Sequence, residues 1–208
     1  NMKKNEGRFI TIEGGEGTGK TTLVNNLKTF IESKGIKCFV TREPGGTKIA
    51  EDLRSVLVNH DFDLDQEIDI LSFARSEHVS KSIRKKLGKG IWVISDRFFD
   101  STMAYQGFMH PERFKEIQQY CHLASGKYIP DLTIWLDLDS NTGLERVKEK
   151  NNFEKRGLEF HEKIRENFKK VSDVYPQRVI KLDINKRNEK EVFDLASYLL
   201  RGEFSELE

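Results

Sequence analysis

The sequence predicts an α/β protein in which a parallel sheet of five strands is flanked by helices. Short runs rich in Ile, Val, Phe and Trp alternate along the chain with longer amphipathic patterns. The strand candidates are residues 8–13, 36–41, 91–95, 132–137 and 179–182. The helical patterns cover residues 19–33, 66–87, 111–124, 141–150, 158–173 and 189–200. Strands separated by helices form right-handed crossovers, so ligands are expected at the carboxyl ends of the strands.

Each element has a local justification. The strand candidates are short and apolar on both faces, as parallel strands buried between two helical layers are. The first helical pattern, over 19–33, has apolar side chains at helical spacing and is stopped by Gly35. The pattern over 66–87 predicts one long helix that ends before Gly88 and Gly90.

Composition bounds the class of protein. The chain has 208 residues, with 35 Lys and Arg against 34 Asp and Glu, so its net charge is only +1. This balance argues against disorder and against a nucleic-acid polymer as partner. No apolar stretch is long enough to span a membrane, and the first residues lack an apolar signal-peptide core, so we expect a cytoplasmic protein without membrane contact. Cys38 and Cys121 are expected to be buried thiols, and the five histidines show no metal-ligand spacing.

A glycine-rich turn follows the first strand candidate. Residues 14–21 match the pattern G-x-x-x-x-G-K-[ST], in which backbone N–H groups and a helix N-terminus bind phosphate. The match predicts a P-loop NTPase that binds a nucleoside triphosphate through Gly14, Gly15, Glu16, Gly17, Thr18, Gly19, Lys20 and Thr21. Lys20 would bridge the terminal phosphates, and the Thr21 hydroxyl would hold Mg²⁺. A switch GTPase is excluded, because no glycine has an Asp three positions earlier and the run 185–188 lacks a final Asp.

Three further segments follow the second and third strands. They are TREPGGT at 41–47, LRSVL at 53–57 and DRFFDSTMAYQG at 96–107. Together with the P-loop they resemble the thymidylate kinase family, and the resemblance extends from Phe9 to about Leu200. It implies a nucleoside monophosphate kinase-like fold, ATP-dependent phosphorylation of dTMP to dTDP on the way to dTTP, Mg²⁺ as cofactor and a homodimer.

The resemblance also implies roles for individual residues. Arg54 and Arg97 would clamp the monophosphate, since a guanidinium forms bidentate bonds to phosphate. Asp96 would hold Mg²⁺ beside Thr21, and Glu43 would lie near the sugar. The rest of the acceptor site would be lined by Ser101, Thr102, Tyr105 and Gln106, with Tyr105 beside the deoxyribose and Gln106 reading the base. A purely structural role for the first three of these stays open.

The predicted base pocket departs from the family pattern. Arg75 fits the family's base-contacting arginine, but the position one helical turn earlier, where the family has a phenylalanine, holds Leu71. The nearest aromatic is Phe73, which points about 200° away around a helix. We therefore expect Leu71 to contact the base and Phe73 to lie in the core, with a local shift that presents Phe73 as the alternative.

The charged stretch after the fourth strand matches the family's lid, at about residues 150–163 of a single domain spanning 1–208. Glu16 stands where one subtype carries a P-loop arginine, so the resemblance implies the bacterial subtype with a basic lid. The aligned lid position is Asn152, and Lys155 or Arg156 would supply the cation, with Arg156 preferred. The predicted catalytic residues are thus Lys20, Arg97, Arg156 and Glu16. The alternatives are another nucleoside monophosphate kinase, for uridylate or cytidylate, and a nucleotide-binding module without turnover.

Overall fold

A computed structural model describes residues 6–148, 152–153 and 155–208. Its centre is a sheet of five parallel strands in the order β2-β3-β1-β4-β5. The strands are β1 (Phe9–Gly14), β2 (Cys38–Arg42), β3 (Trp92–Asp96), β4 (Leu132–Asp137) and β5 (Val179–Asp183). All five match predicted strands to within two residues, so the predicted fold class is confirmed.

Nine α-helices are found among the described residues. They are α1 (Lys20–Ser33), α2 (Lys48–Asn59), α3 (Leu64–His78), α4 (Arg84–Leu87), α5 (Phe99–Thr102), α6 (Phe114–Ser125), α7 (Ser140–Arg146), α8 (Leu158–Val174) and α9 (Glu189–Glu203). Two π-helical turns, Val79–Ile83 and Met103–Gly107, follow α3 and α5, and 3₁₀ turns cover Pro111–Arg113 and Ser205–Leu207.

The helix predictions need three corrections. The long helix expected over 66–87 is α3, a π-helical turn and α4 in succession, and it begins at Leu64 because Asp63 and Gln66 form a capping box. The helix expected over 141–150 ends at Arg146, and residues 149–150 lie outside the described part. The helix α2 was not predicted. Its start is fixed by Thr47, whose side chain accepts a hydrogen bond from the Ala50 N–H.

Apolar side chains fill both faces of the sheet. One layer packs α1 and α9 against the sheet around Ile10, Ile12 and Leu27. The other packs α6, α8 and the first π-helical turn around Phe98, Met103 and Phe168. Cys38 and Cys121 are buried free thiols, as expected.

The strand register brings predicted site residues together at the carboxyl edge of the sheet. Asp96 at the end of β3 lies beside both Ile12 of β1 and Arg42 of β2. The P-loop leaves β1 at the same edge, and the predicted site residues follow the carboxyl ends of β1, β2 and β3. Among the described helices, none is both long and apolar enough to cross a membrane.

Candidate active site

The P-loop wraps the start of α1 and packs tightly on a neighbouring helix. Gly17 and Gly19 adopt φ angles of 69° and 81°, which favour glycine. A Cβ on Gly17 would lie 1.9 Å from the carbonyl oxygen of Gly143 in α7. The loop borders an open groove of about 800 Å³, which also reaches the ends of β2 and β3. This groove is large enough for a nucleoside triphosphate.

Lys20 is folded back on the loop. Its Nζ donates hydrogen bonds to the carbonyl oxygens of Gly14 (3.2 Å) and Gly15 (2.7 Å) and to the Thr18 hydroxyl (3.2 Å). Burial and the positive charge of Arg97 lower the pKa of Lys20 to about 8. The side chain is therefore a buried cation that an added anion, such as a phosphate, would stabilise.

Thr21 and Asp96 form the second polar feature of the groove. The Thr21 hydroxyl donates a 2.8 Å hydrogen bond to Asp96 Oδ2. Both side chains offer the hard oxygen ligands that Mg²⁺ prefers. Among the described residues no three His, Cys, Asp or Glu side chains come together as a metal cluster.

Arg97 occupies a strained backbone position directly after β3. Its φ of 68° lies in the left-handed region, which is uncommon outside glycine. The next turn is anchored by Glu13, which accepts hydrogen bonds from the Phe98 N–H (2.7 Å) and from the Ser101 N–H (3.2 Å) and hydroxyl (2.5 Å). The Arg97 N–H donates to the carbonyl oxygen of Ile12 (2.9 Å). Four hydrogen bonds thus hold a conformation that costs free energy by itself.

The Arg97 guanidinium joins the P-loop to the acceptor side. Its Nη1 donates to the Ser101 hydroxyl (2.9 Å), and its Nη2 donates to Glu16 Oε1 (2.9 Å). Tyr105 donates to the same Glu16 oxygen (3.0 Å), and its ring lies 5.3 Å below the guanidinium. Burial works to raise the pKa of Glu16, but the charges of Arg97 and Lys20 outweigh it and lower the pKa to about 2.

Arg54 of α2 borders the same groove as Arg97, close to the cis peptide between Glu43 and Pro44. Its Nη1 donates to the carbonyl oxygen of Pro44 (3.2 Å). Burial and the positive charges of Arg42 and Arg97 lower the pKa of Arg54. Converging guanidinium groups repel one another, so this corner of the site favours an anion.

A buried ion-pair network forms the floor of a second, smaller cavity of about 110 Å³. Glu43 accepts hydrogen bonds from Arg75 Nε (2.8 Å) and pairs with His78 Nδ1 (2.9 Å). Arg75 also donates to the Thr102 hydroxyl (3.0 Å), and His78 Nε2 lies 2.6 Å from the Thr41 hydroxyl. Burial works to raise the pKa of Glu43, but Arg75 and His78 hold it below its usual value.

The walls of the second cavity come from five segments. They are Leu57 and Val58 of α2, Leu71 of α3, Thr102 of α5, Tyr105 and Gln106 of the π-helical turn Met103–Gly107, and Phe153 of the predicted lid. The Phe153 and Tyr105 ring centroids are 6.2 Å apart. The two cavities share Glu16, Glu43, Arg54 and Arg97. The P-loop groove and the second cavity thus meet at two arginines, Arg54 and Arg97.

Comparison with known proteins shows the family of the chain. The family model described as thymidylate kinase matches residues 12–195. The chain belongs to the thymidylate kinase family. The thymidylate kinase of Protochlamydia amoebophila is 37% identical over 99% of this chain and 97% of that protein. The thymidylate kinase of Carboxydothermus hydrogenoformans is 39% identical over 93% of this chain and 97% of its own. The crystal structure of the thymidylate kinase from Ehrlichia chaffeensis superposes with a TM-score of 0.76 at 30% identity, over 94% of this chain and 99% of that one.

One expectation about the family's base pocket is wrong. Leu71 lines the second cavity beside Arg75, but Phe73 is not in the core: its side chain is 58% exposed. Leu71 and Phe73 lie on opposite sides of α3. Because Leu71 faces the cavity, Phe73 faces the surface. The structure shows no helix shift that presents Phe73 to the cavity.

The lid of this thymidylate kinase family member is only partly described, since residues 150, 151 and 154 lie outside the described part. Arg156 lies between the rings of Phe153 and Phe160, at 4.8 and 4.9 Å, and its Nη2 donates to Glu67 Oε1 at 3.5 Å. Neither Arg156 nor Lys155 is among the described residues that line the two cavities. The Asn152 N–H donates to the carbonyl oxygen of Val58 (3.3 Å). A lid cation in contact with phosphate therefore stays a prediction.

Several residues of the site were not predicted from sequence. Glu13 anchors the Arg97 turn, His78 supports Glu43, Glu67 contacts Gln106, Phe153 closes the second cavity, and Arg146 of α7 donates to the carbonyl oxygen of Gly17 (3.4 Å). A weak signal existed for two of them. Glu13 directly precedes the first P-loop glycine, and His78 follows Arg75 by three positions on the same helix face.

Proposed function

We propose that this chain transfers the γ-phosphate of ATP to dTMP, forming dTDP for dTTP synthesis. The observation that carries the proposal is the junction of the two cavities at Glu16, Glu43, Arg54 and Arg97. One cavity has the size and the P-loop of a triphosphate site, and the other has the apolar walls of a base pocket. Family membership names the acceptor: the relatives that match along almost the whole chain are thymidylate kinases.

On the donor side, the P-loop N–H groups and Lys20 would bind the phosphates of ATP. Thr21 and Asp96 would hold Mg²⁺, and their 2.8 Å contact already places a hydroxyl and a carboxylate oxygen side by side at the groove. When bound, the cation neutralises phosphate charge and orients the transferred group. Lys20 would release the loop carbonyls Gly14 and Gly15 and turn to the terminal phosphates.

On the acceptor side, Arg54 and Arg97 would clamp the monophosphate. The acceptor oxygen is already largely ionised at neutral pH, so the site needs no strong general base. Catalysis then rests on alignment of the two phosphates and on neutralisation of their charge. Glu16 accepts hydrogen bonds from Arg97 and Tyr105, and it would lie on the sugar side of the junction.

The remaining predicted residues would select the nucleoside. Tyr105 would lie beside the deoxyribose, Gln106 would contact the base, and Leu71 with Arg75 would form the base-facing wall of α3. Ser101 and Thr102 would support this wall through their bonds with Arg97 and Arg75. The lid, through Arg156 or Lys155, would bring a cation to the phosphates and exclude water, so that ATP is not hydrolysed.

We also propose that the protein forms a homodimer. Supporting this are five large apolar side chains that are at least 41% exposed on three neighbouring helices, since α2 packs on α3 and α3 on α6: Ile49, Val56, Phe73, Tyr120 and Leu123. Exposed apolar patches of this kind mark interaction surfaces. A cytoplasmic location stays a prediction from the sequence.

A coupled assay of ADP release tests the proposed activity. Purified protein, ATP and Mg²⁺ are combined with dTMP, dUMP, UMP, CMP or AMP in turn. We expect dTMP to give the highest kcat/KM and AMP to give no rate above the control without acceptor. If dTMP releases no more ADP than that control, the proposed function is wrong.

A further inference from the structure

Glu67 is a nearly buried carboxylate that is linked to the second cavity through the side chain of Gln106. It lies on the inner face of α3, with 9% of its surface exposed. Its Oε2 accepts a 3.0 Å hydrogen bond from Gln106 Nε2, and its Oε1 accepts the 3.5 Å contact from Arg156. Glu67 itself does not line the cavity, whereas Gln106 does.

The chemistry of this pair fixes the direction of the Gln106 amide. A carboxylate accepts hydrogen bonds and cannot donate them, and only the NH₂ end of a side-chain amide can donate. The reversed amide would set a carbonyl oxygen against a carboxylate oxygen in a buried site, where an unpaired polar group is costly. The NH₂ group therefore points to Glu67, and the carbonyl oxygen is the end of the amide left for the cavity.

A hydrogen-bond acceptor at this position distinguishes between pyrimidines. Thymine and uracil carry a hydrogen on N3, which can be donated to a carbonyl oxygen. Cytosine has a lone pair on N3, so it would face the Gln106 oxygen with two acceptors opposed. Rejection through an unmatched buried polar group is stronger than rejection by shape alone.

We propose that Glu67 is a positioning residue that sets the base preference of the site by holding the Gln106 amide with its carbonyl oxygen toward the cavity. The proposal rests on the proposed function, since it assumes that a pyrimidine monophosphate occupies the second cavity. It adds that selection for a base with an N3 hydrogen depends on a carboxylate that never touches the substrate.

The isosteric variant Glu67→Gln tests this directly. A glutamine side chain at this position can accept or donate, so the Gln106 amide can adopt either direction. Binding of dTMP and dCMP is measured by calorimetry without ATP. We expect the ratio Kd(dCMP)/Kd(dTMP) to fall roughly tenfold in this variant, the equivalent of about 1.4 kcal/mol. A ratio within about twofold of the wild-type ratio would overturn the inference.

The double variant Glu67→Gln/Gln106→Glu separates orientation from mere structural damage. It exchanges the two groups: the new amide at position 67 donates to the new carboxylate at position 106. A hydrogen-bond acceptor therefore again faces the cavity. We expect the ratio Kd(dCMP)/Kd(dTMP) to return to its wild-type value even if both affinities fall. If the single variant does not fold, the double variant must still fold and keep that ratio, and failure of either condition contradicts the inference.

Asp65→Asn is the matched control. It removes a carboxylate of the same helix that also pairs with an arginine, Arg113 at 2.7 Å, but whose side chain is 72% exposed. The ratio Kd(dCMP)/Kd(dTMP) of this variant should stay at the wild-type value. Wild-type protein that binds neither nucleotide would instead contradict the proposed function, so the two failures are distinguishable.

Discussion

Glu13 is a carboxylate without solvent exposure, directly before the P-loop. Burial, and then the negative charge of Asp100, raise its pKa from 4.5 to about 7. A raised carboxyl pKa means that the folded state keeps a proton that the unfolded chain loses above pH 4.5. The protein therefore loses the corresponding stability as the pH rises from about 4.5 to about 7, and the loss is complete above that range.

Glu13→Gln should remove this pH dependence, because an amide can replace the protonated carboxyl without titrating. Relative to the variant, we expect the wild-type free energy of unfolding to fall by about 3 kcal/mol between pH 4.5 and pH 7.5. Urea unfolding of both proteins across this range measures the difference. Parallel stability curves would show that Glu13 does not carry the proton.

Residues of the site were predictable from sequence where a local motif defines them. The P-loop, Arg97 and Gln106 stand in continuous runs, so their spacing alone indicates their place at the sheet edge. Glu67 and His78 are ordinary helix residues in the sequence, and their importance arises from contacts 39 and 35 positions away. Such partners are set by tertiary packing, which the spacing of residues along one helix does not contain.

At the scale of elements, the fit of the P-loop against α7 gives a sharp prediction. Gly17→Ala would place a side chain at a φ of 69° and 1.9 Å from the Gly143 carbonyl oxygen. Backbone strain costs about 1–2 kcal/mol and overpacking about 1–3 kcal/mol, so we expect the melting temperature to fall by at least about 4 °C. Calorimetry without nucleotide measures the shift.

Gly15→Ala is the control for this element. It lies two residues earlier in the same loop, and an added Cβ would meet nothing within 4 Å. Its melting temperature should stay close to that of the wild type. Equal melting temperatures for the two variants would show that the loop can move away from α7.

The limits of sequence-based prediction also follow from individual elements. Strands such as β4 were predicted because their apolar runs reflect burial on both faces. The π-helical turn Val79–Ile83 was not, because one wider turn hardly changes an apolar pattern that runs on into α4. Phe73 was assigned to the core because hydrophobic residues usually are buried, and this exposed side chain is an exception to that rule.

At the scale of the whole molecule, that exposed surface predicts the oligomeric state. Phe73 on α3 and Leu123 on α6 are 58% and 79% exposed. Burying such side chains between subunits contributes about 1.5–3 kcal/mol each, and replacing them by charges reverses the contribution. We expect wild-type protein to be dimeric by light scattering after size exclusion, and the double variant Phe73→Glu/Leu123→Glu to weaken the dimer by at least about 100-fold.

The matched control is Tyr198→Glu, at a 69% exposed position on α9, which should remain dimeric. A wild-type monomer, or a dimer unaffected by the double variant, would place the interface elsewhere or exclude it.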